Sequence, residues 1–250
     1  MKKGSIVREI WADGDTILFI FAGASAEFAL NKAVDWLYFT GKLPKDPLGR
    51  LFSTVEYARR IVFSEHDAAL KAIDQITAIH QGVEKSRNAK IPDWAYRDVM
   101  FMLIDYAIRS YEILKRPLSM EEKMEVFEVF CRVALRMNIK DFPLNFTEWE
   151  EQRESHLRDN LIYSNFTEDL YRQYKKHLGY IRFQILKQAQ AMICPKRVCF
   201  LLNQTQLIWL KPLIVFYRIA KRIKLHHLLR NIILPKNYKS QIQNLDVHSY

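Results

Sequence analysis

Seven histidines occur in the 250 residues, and His80 stands out because it lies inside an apolar helical repeat. After Ser64, the residues Ala69, Ala72, Ile73, Ile76, Ile79 and Val83 recur at helical spacing, and His80 falls within their stripe. An imidazole in that setting has two uses. It is a hydrogen-bonded core residue, or its neutral ring reaches an apolar cavity as a metal ligand, as on the proximal side of a haem iron. The adjacent pair His226 and His227 points to different sides of a helix and sits among basic residues, so it is a poor chelate.

Other chemistries lack their residues. The chain has no Gly-x-Ser-x-Gly elbow, no phosphate-cradling glycine loop, no His-Glu-x-x-His pair and no calcium loop. Carboxylates are plentiful, but none forms an interpretable acid/base pair by spacing; Glu27 and Asp35, which flank Leu30-Asn31, are candidates for a carboxylate base, and nothing in the spacing favours that role over solvent exposure. Cys131, Cys194 and Cys199 make neither a disulfide framework nor a zinc quartet, and they fit a reducing, cytoplasmic compartment.

The elements that must position these side chains are helices. Pro47 opens one, with Leu48, Leu51, Phe52, Val55 and Val62 directed inward. "SEHD" from Ser64, "SMEE" from Ser119 and "TEWE" from Thr147 each place a carboxylate three residues after a hydroxyl, the pattern of a capping box. Residues 93–114 are apolar on nearly every side, as in a helix at the centre of a bundle, and Val126, Phe127, Phe130, Val133, Ala134 and Met137 form a further stripe. The acids Glu9, Asp13 and Asp15 precede the short run "ILFIFA", so the start reads as a turn and a first core helix rather than a signal peptide. Apolar residues make up 49% and aromatics 13% of the chain, with only 7 glycines and 8 prolines, which supports a packed helical core. The expected architecture is all-α, a single bundle of about eight to ten helices.

The net charge of +10 is uneven: residues 195–250 hold ten Lys and Arg against the one acid Asp246, so the body, 1–194, is nearly neutral. This divides the chain into a helical body and a basic, apolar helical extension packed on the same domain or on a membrane surface. Within residues 198–230, Leu213, Phe216, Ala220 and Ile223 share a face opposite Arg218, Lys221 and Arg222. That face suits either core packing or an anionic membrane surface. No nucleic-acid recognition motif accompanies the basic residues, so no nucleic-acid partner is expected.

The segment "DPLGRLFSTVEYARRIVFSEHDAALKAIDQITAIHQGV" resembles the signature of the MpaB-type oxygenase family, which includes the rubber-cleaving, latex-clearing proteins. The matching positions are Asp46, Pro47, Arg50, Thr54, Tyr57, Val62, Phe63, Ala68, Ala69, Ala72, Ile79 and His80, and residues 101–151 resemble the family's middle region. The resemblance implies an all-α fold enclosing a b-type haem, and oxygen chemistry on a hydrophobic, lipid- or isoprenoid-like substrate with dioxygen. It makes His80 the axial iron ligand. It also places Arg50 and Thr54 in the haem pocket, the first neutralising a propionate or developing negative charge and the second hydrogen-bonding oxygen, with Tyr57 on the same wall. Arg50 and Thr54, four residues apart, share a helix face.

The chain departs from the family where many members have His-Pro and it reads Leu30-Asn31, and where many have Trp-Val-His and it reads Asp98-Val99-Met100. Ser53 replaces a residue that is often basic. Despite these departures, the resemblance implies a haem-dependent oxygenase, expected to be cytoplasmic and to work at or near a membrane. Its alternative is a catalytically impaired relative that binds a hydrophobic ligand or acts as a scaffold.

Overall fold

The computed structural model describes residues 4–41 and 45–204, apart from the side chains of residues 48, 50, 51 and 52. Ten helices form among the described residues, and the only extended pairing there is a single antiparallel bridge between Asn31 and Leu161. The all-α expectation is met.

Helix α1 (Ile6–Ala12) leads through Asp13 into α2 (Gly14–Leu30). The Asp13 carboxylate accepts from the Thr16 amide at 2.9 Å, which occupies one of the donors left free at a helix start, and Lys115 pairs with the same side chain at 2.8 Å. Helix α2 contains the run "ILFIFA" and is buried nearly all round. It is the axis of the bundle: α6 (Asp93–Leu114) and α9 (Asn165–Ile193) pack along it on different sides. The expectation of a central helix over 93–114 is also met, since α6 buries thirteen of its residues. Gly23 permits the close approach of α2 and α6, because a Cβ there would lie 2.3 Å from Tyr106 Cδ1.

After α3 (Val34–Phe39), helices α4 (Pro47–Phe63) and α5 (His66–Arg87) make a hairpin joined by Ser64 and Glu65. Asp46 caps α4 by accepting from the Gly49 amide at 2.8 Å, with Pro47 in the first turn. Val55 and Val62 are buried as expected. Helix α7 (Met120–Arg136) braces α5 through a two-bond contact between Arg136 and Asp74 (2.8 and 2.7 Å) and packs on α6. Helix α8 (Phe146–Asp159) also lies on α6, and short α10 (Lys196–Leu201) closes onto α2 and α8 with Val198 and Cys199 buried.

Two cap expectations change. Ser119 and Glu122 form a full capping box, but Ser64 and Asp67 do not, because Glu65 takes the cap position and α5 begins at His66. Helix α8 begins two residues before the position set by Thr147: Asn145 caps it, accepting from Glu148 N at 2.9 Å. A capping box at Ser164 and Thr167 opens α9, where a threonine hydroxyl takes the role usually given to Glu or Gln. Inside α9, Gly179 has φ +74°, a backbone conformation that breaks the helix into two segments.

No helix among the described residues is long and apolar enough to cross a membrane. The amphipathic face assigned to residues 198–230 lies outside the described residues from residue 205 onward.

Candidate functional site

The α4–α5 hairpin carries all four residues singled out from the sequence. Arg50 lies 14 residues before Ser64 and His80 lies 15 after Glu65, so the antiparallel pair brings their backbones to one height. The Arg50 side chain lies outside the described ones. Thr54 and Tyr57 are on α4 and half-buried. At 1.5 Å per residue they stand roughly 7 and 12 Å nearer the hairpin turn than His80 along the helix axis. Arg60 lies over the Tyr57 ring at 5.8 Å and pairs with Glu56.

His80 is half-buried and faces α6, its ring edge-on to Tyr96 with centroids 5.3 Å apart. Tyr96 is itself fixed: its hydroxyl donates to Glu84 Oε1 at 3.3 Å, and the same oxygen accepts from the Ile91 amide at 2.9 Å. Burial, together with the negative Glu84 beside it, pushes the Tyr96 phenol well above its ordinary range, so it stays a proton donor. Glu84 thus ties the α5–α6 connection to the ring that positions the imidazole.

The apolar stripe expected around His80 is less covered than its pattern implies. Only Ala72 and Ile73 of α5 are buried; Ile76 and Val83 are half-buried and Ile79 is 48% exposed. Among the described residues, α5 packs chiefly on α4 and α7, so its outer side takes little cover from the other described helices.

A second constellation, deep in the bundle, joins α2, α6 and α8. Arg153 of α8 forms two parallel bonds to Glu27 of α2, Nη1 to Oε1 and Nη2 to Oε2, the latter at 2.7 Å. It also donates to Asp105 Oδ2 from Nε at 3.1 Å and from Nη2 at 2.9 Å, while Arg109 meets Asp105 Oδ1 at 2.5 Å. Tyr106 donates to Glu27 Oε2 at 2.8 Å. His156 lies between two carboxylates, with Nε2 2.7 Å from Glu27 Oε1 and Nδ1 2.7 Å from Asp98 Oδ1. The second contact is an ion pair bent away from ideal hydrogen-bond direction. Asp98 also accepts from Asn31 at 3.0 Å and from Asn160 at 3.0 and 3.1 Å.

Burial by itself would raise the Glu27 carboxyl, but the Arg153 charge and its bonds outweigh that and hold the group far below the usual carboxylate range. Burial opposes charge on Arg153 as well, and Glu27 and Asp105 reverse the effect. For His156, desolvation is again the largest influence and favours the neutral ring, yet Asp98 and Glu27 together move it upward. Arg153 occupies the middle of the cluster, and the described residues contain no group of three or more His, Cys, Asp or Glu side chains placed to hold a metal ion.

Sequence spacing did not reveal this cluster. In the sequence Glu27 is one carboxylate among many, and nothing in its spacing sets His156 apart from the other histidines. The available signal was on α8, where Trp149, Arg153, His156 and Leu157 share the buried face and two polar residues occupy core positions. The positions of departure from the family pattern serve the fold here: Asn31 binds Asp98 and accepts from the Ala33 amide at 2.8 Å, and Met100 is buried.

A family model described as "ER-bound oxygenase mpaB/B'/Rubber oxygenase, catalytic domain" matches residues 9–218. The chain belongs to this family. The match to the MpaB/rubber oxygenase catalytic domain runs from α1 through the α4–α5 hairpin and past α10, so it takes in both constellations. It makes the chain an oxygenase-type catalytic domain at a coarse level. No curated protein and no solved structure matches the chain.

Proposed function

We propose that the protein is a haem-dependent oxygenase acting on a hydrophobic, lipid- or isoprenoid-like substrate with dioxygen. The observation that carries the reading is the family match, which spans the whole hairpin bearing Arg50, Thr54, Tyr57 and His80. The donor set supports a b-type haem rather than a metal held by side chains alone. His80 is a single imidazole, and an iron bound to it takes its other ligands from a macrocycle. The half-covered apolar surface of Ile76, Ile79 and Val83 beside His80 is suited to a flat, largely apolar group, whose burial there is favourable.

Each residue then has a defined part. His80 would hold the haem iron through its imidazole, and Tyr96, braced by Glu84, sets the plane of that ring. Arg50, whose backbone lies at the height of His80, would be the cation that pairs with a haem propionate. Thr54 would offer a hydroxyl donor beside the haem, and Tyr57 would contribute to the wall nearer the turn. Haem, when bound, supplies the oxygen-activating chemistry, while the protein supplies binding and orientation. A substrate of that class puts the reaction at or near a membrane surface, and the free cysteines fit a cytoplasmic site for it. The basic residues of 198–230 are the contact to anionic lipid.

A full-length sample produced with ample haem is expected to show a Soret absorption band, and His80→Ala to lose it while keeping its helical circular dichroism. A haem-free spectrum of the wild-type protein under those conditions would overturn the reading.

The use of Asn31, Asp98 and Met100 in packing favours a second reading, a catalytically impaired member that retains a hydrophobic ligand or acts as a scaffold. Bound haem without oxygen consumption across a panel of lipophilic substrates would select it.

A further inference from the structure

The buried cluster raises a question of charge. Glu27, Asp98 and Asp105 are three carboxylates from α2 and α6, and they face two guanidiniums, the buried Arg153 of α8 and, at the outer edge of the cluster, Arg109 of α6, whose side chain is 41% exposed. The remaining neighbours, Tyr106, Asn31 and Asn160, are neutral donors. An uncompensated carboxylate at this depth costs several kcal/mol.

His156 resolves the imbalance. A neutral imidazole has one donor and one acceptor nitrogen, but both His156 nitrogens lie 2.7 Å from carboxylate oxygens. In a neutral ring one of these nitrogens keeps its lone pair and leaves an acceptor 2.7 Å from a carboxylate oxygen where the His156 side chain is 2% exposed. At Nδ1, bent from the hydrogen-bond direction, the attraction of an imidazolium to Asp98 is that of an ion pair. We infer that His156 is held as an imidazolium, the third positive charge of a neutral buried cluster, and that its deprotonation is an alkaline release that loosens α8 from α2 and α6.

The direction of the pH effect follows. Asp98 and Glu27 hold the His156 ring above its ordinary value against burial and against the positive Arg153. A group raised on folding contributes stability that is complete below the unfolded value of about 6.5 and is lost as pH rises through the folded one. His156 therefore holds the α2–α6–α8 junction most tightly in mildly acidic solution, below about pH 6.5, and less so as pH rises toward its folded value. At the acid end, Glu27 sets the opposite limit.

The geometry also supplies a compensating substitution. In Asp98→Asn, an amide placed where Oδ1 now lies donates to the Nδ1 of a neutral His156, and the remaining oxygen still accepts from Asn31 and Asn160. The negative charge that required the imidazolium is gone.

The test is thermal unfolding of the full-length protein between about pH 6 and pH 9, with nitrogen NMR of histidine-labelled wild-type protein at about pH 8. The wild type is expected to lose at least about 4 °C of Tm over that range, and Asp98→Asn to lose less than half as much. In the spectrum, one histidine of the seven is expected to carry protons on both ring nitrogens. His156→Gln assigns that signal; if this variant does not fold, the Asp98→Asn spectrum assigns it by its conversion to a neutral ring. A wild-type spectrum with only neutral rings at about pH 8 would overturn the inference, and so would an Asp98→Asn melting profile as steep as the wild type's. Neither measurement uses haem or activity, so the result stands apart from the proposed oxygenase reading.

Discussion

Glu27 takes two bonds from Arg153, one from Tyr106 and a contact from His156, with none of its side chain exposed. Removing one partner of such a cluster leaves buried charge without compensation, which costs about 3–5 kcal/mol. Glu27→Ala is expected to fall in that range by urea denaturation, because Arg153 retains only Asp105 and His156 only Asp98. A loss under about 1 kcal/mol would mean that water or a shift of α8 takes over the missing role. The pH response has a definite sign as well. A carboxyl depressed on folding gives stability above its unfolded value that is lost as pH falls, so Glu27 contributes to acid unfolding of the wild type, and that contribution disappears in the variant. At His80 the controlling contacts are different, since Tyr96 presents a ring edge and Glu84 fixes the phenol. That arrangement gives an imidazole direction without closing the space around it.

Two glycines, on α2 and α5, contrast what neighbouring elements demand. Gly23 faces Tyr106 across the α2–α6 crossing, and Tyr106 cannot turn away without breaking its bond to Glu27. Gly23→Ala is therefore expected to destabilise by about 1–3 kcal/mol through overpacking. Gly82 on α5 is exposed, and a Cβ there would meet nothing within 4 Å. Gly82→Ala is expected to stabilise by up to about 1 kcal/mol through helix propensity, and a pair of thermal melts checks both signs. Element ends show how far local pattern carries. The Ser119–Glu122 box is right because both partners lie within one turn and nothing competes. At Ser64 the adjacent Glu65 displaced the cap, and at Thr147 the earlier Asn145 did so. In both cases the choice rested on where the incoming chain enters the helix, which a four-residue pattern does not encode.

Across the whole molecule, the distribution of charge separates body from extension. The body is close to neutral and pairs its buried charges internally around Arg153, whereas residues 195–250 hold ten cations and one acid. An extension of that kind is attracted to an anionic lipid surface by a force that salt screens within about 10 Å at 0.1 M. The full-length protein is expected to co-sediment with vesicles containing phosphatidylserine, and to be released as salt rises from about 0.05 to 0.5 M. Equal binding to neutral vesicles, or none to either, would remove membrane attraction from the functional account.

The sequence by itself determined that the chain is helical, that residues 93–114 form a buried central helix, and that one segment carries Arg50, Thr54, Tyr57 and His80 in the order of the MpaB/rubber oxygenase family. These properties are local: amphipathic period, proline placement and short motifs are all written within a few turns. The tertiary structure decided two further matters. It left the stripe around His80 half-covered, because burial depends on which helices arrive from elsewhere and not on the stripe's own pattern. It also assembled Glu27, Asp98, Asp105, Arg153 and His156 from positions as much as 129 residues apart. Electrostatic compensation acts through space, so a histidine indistinguishable from its neighbours in sequence acquired its charge only when three helices closed around it.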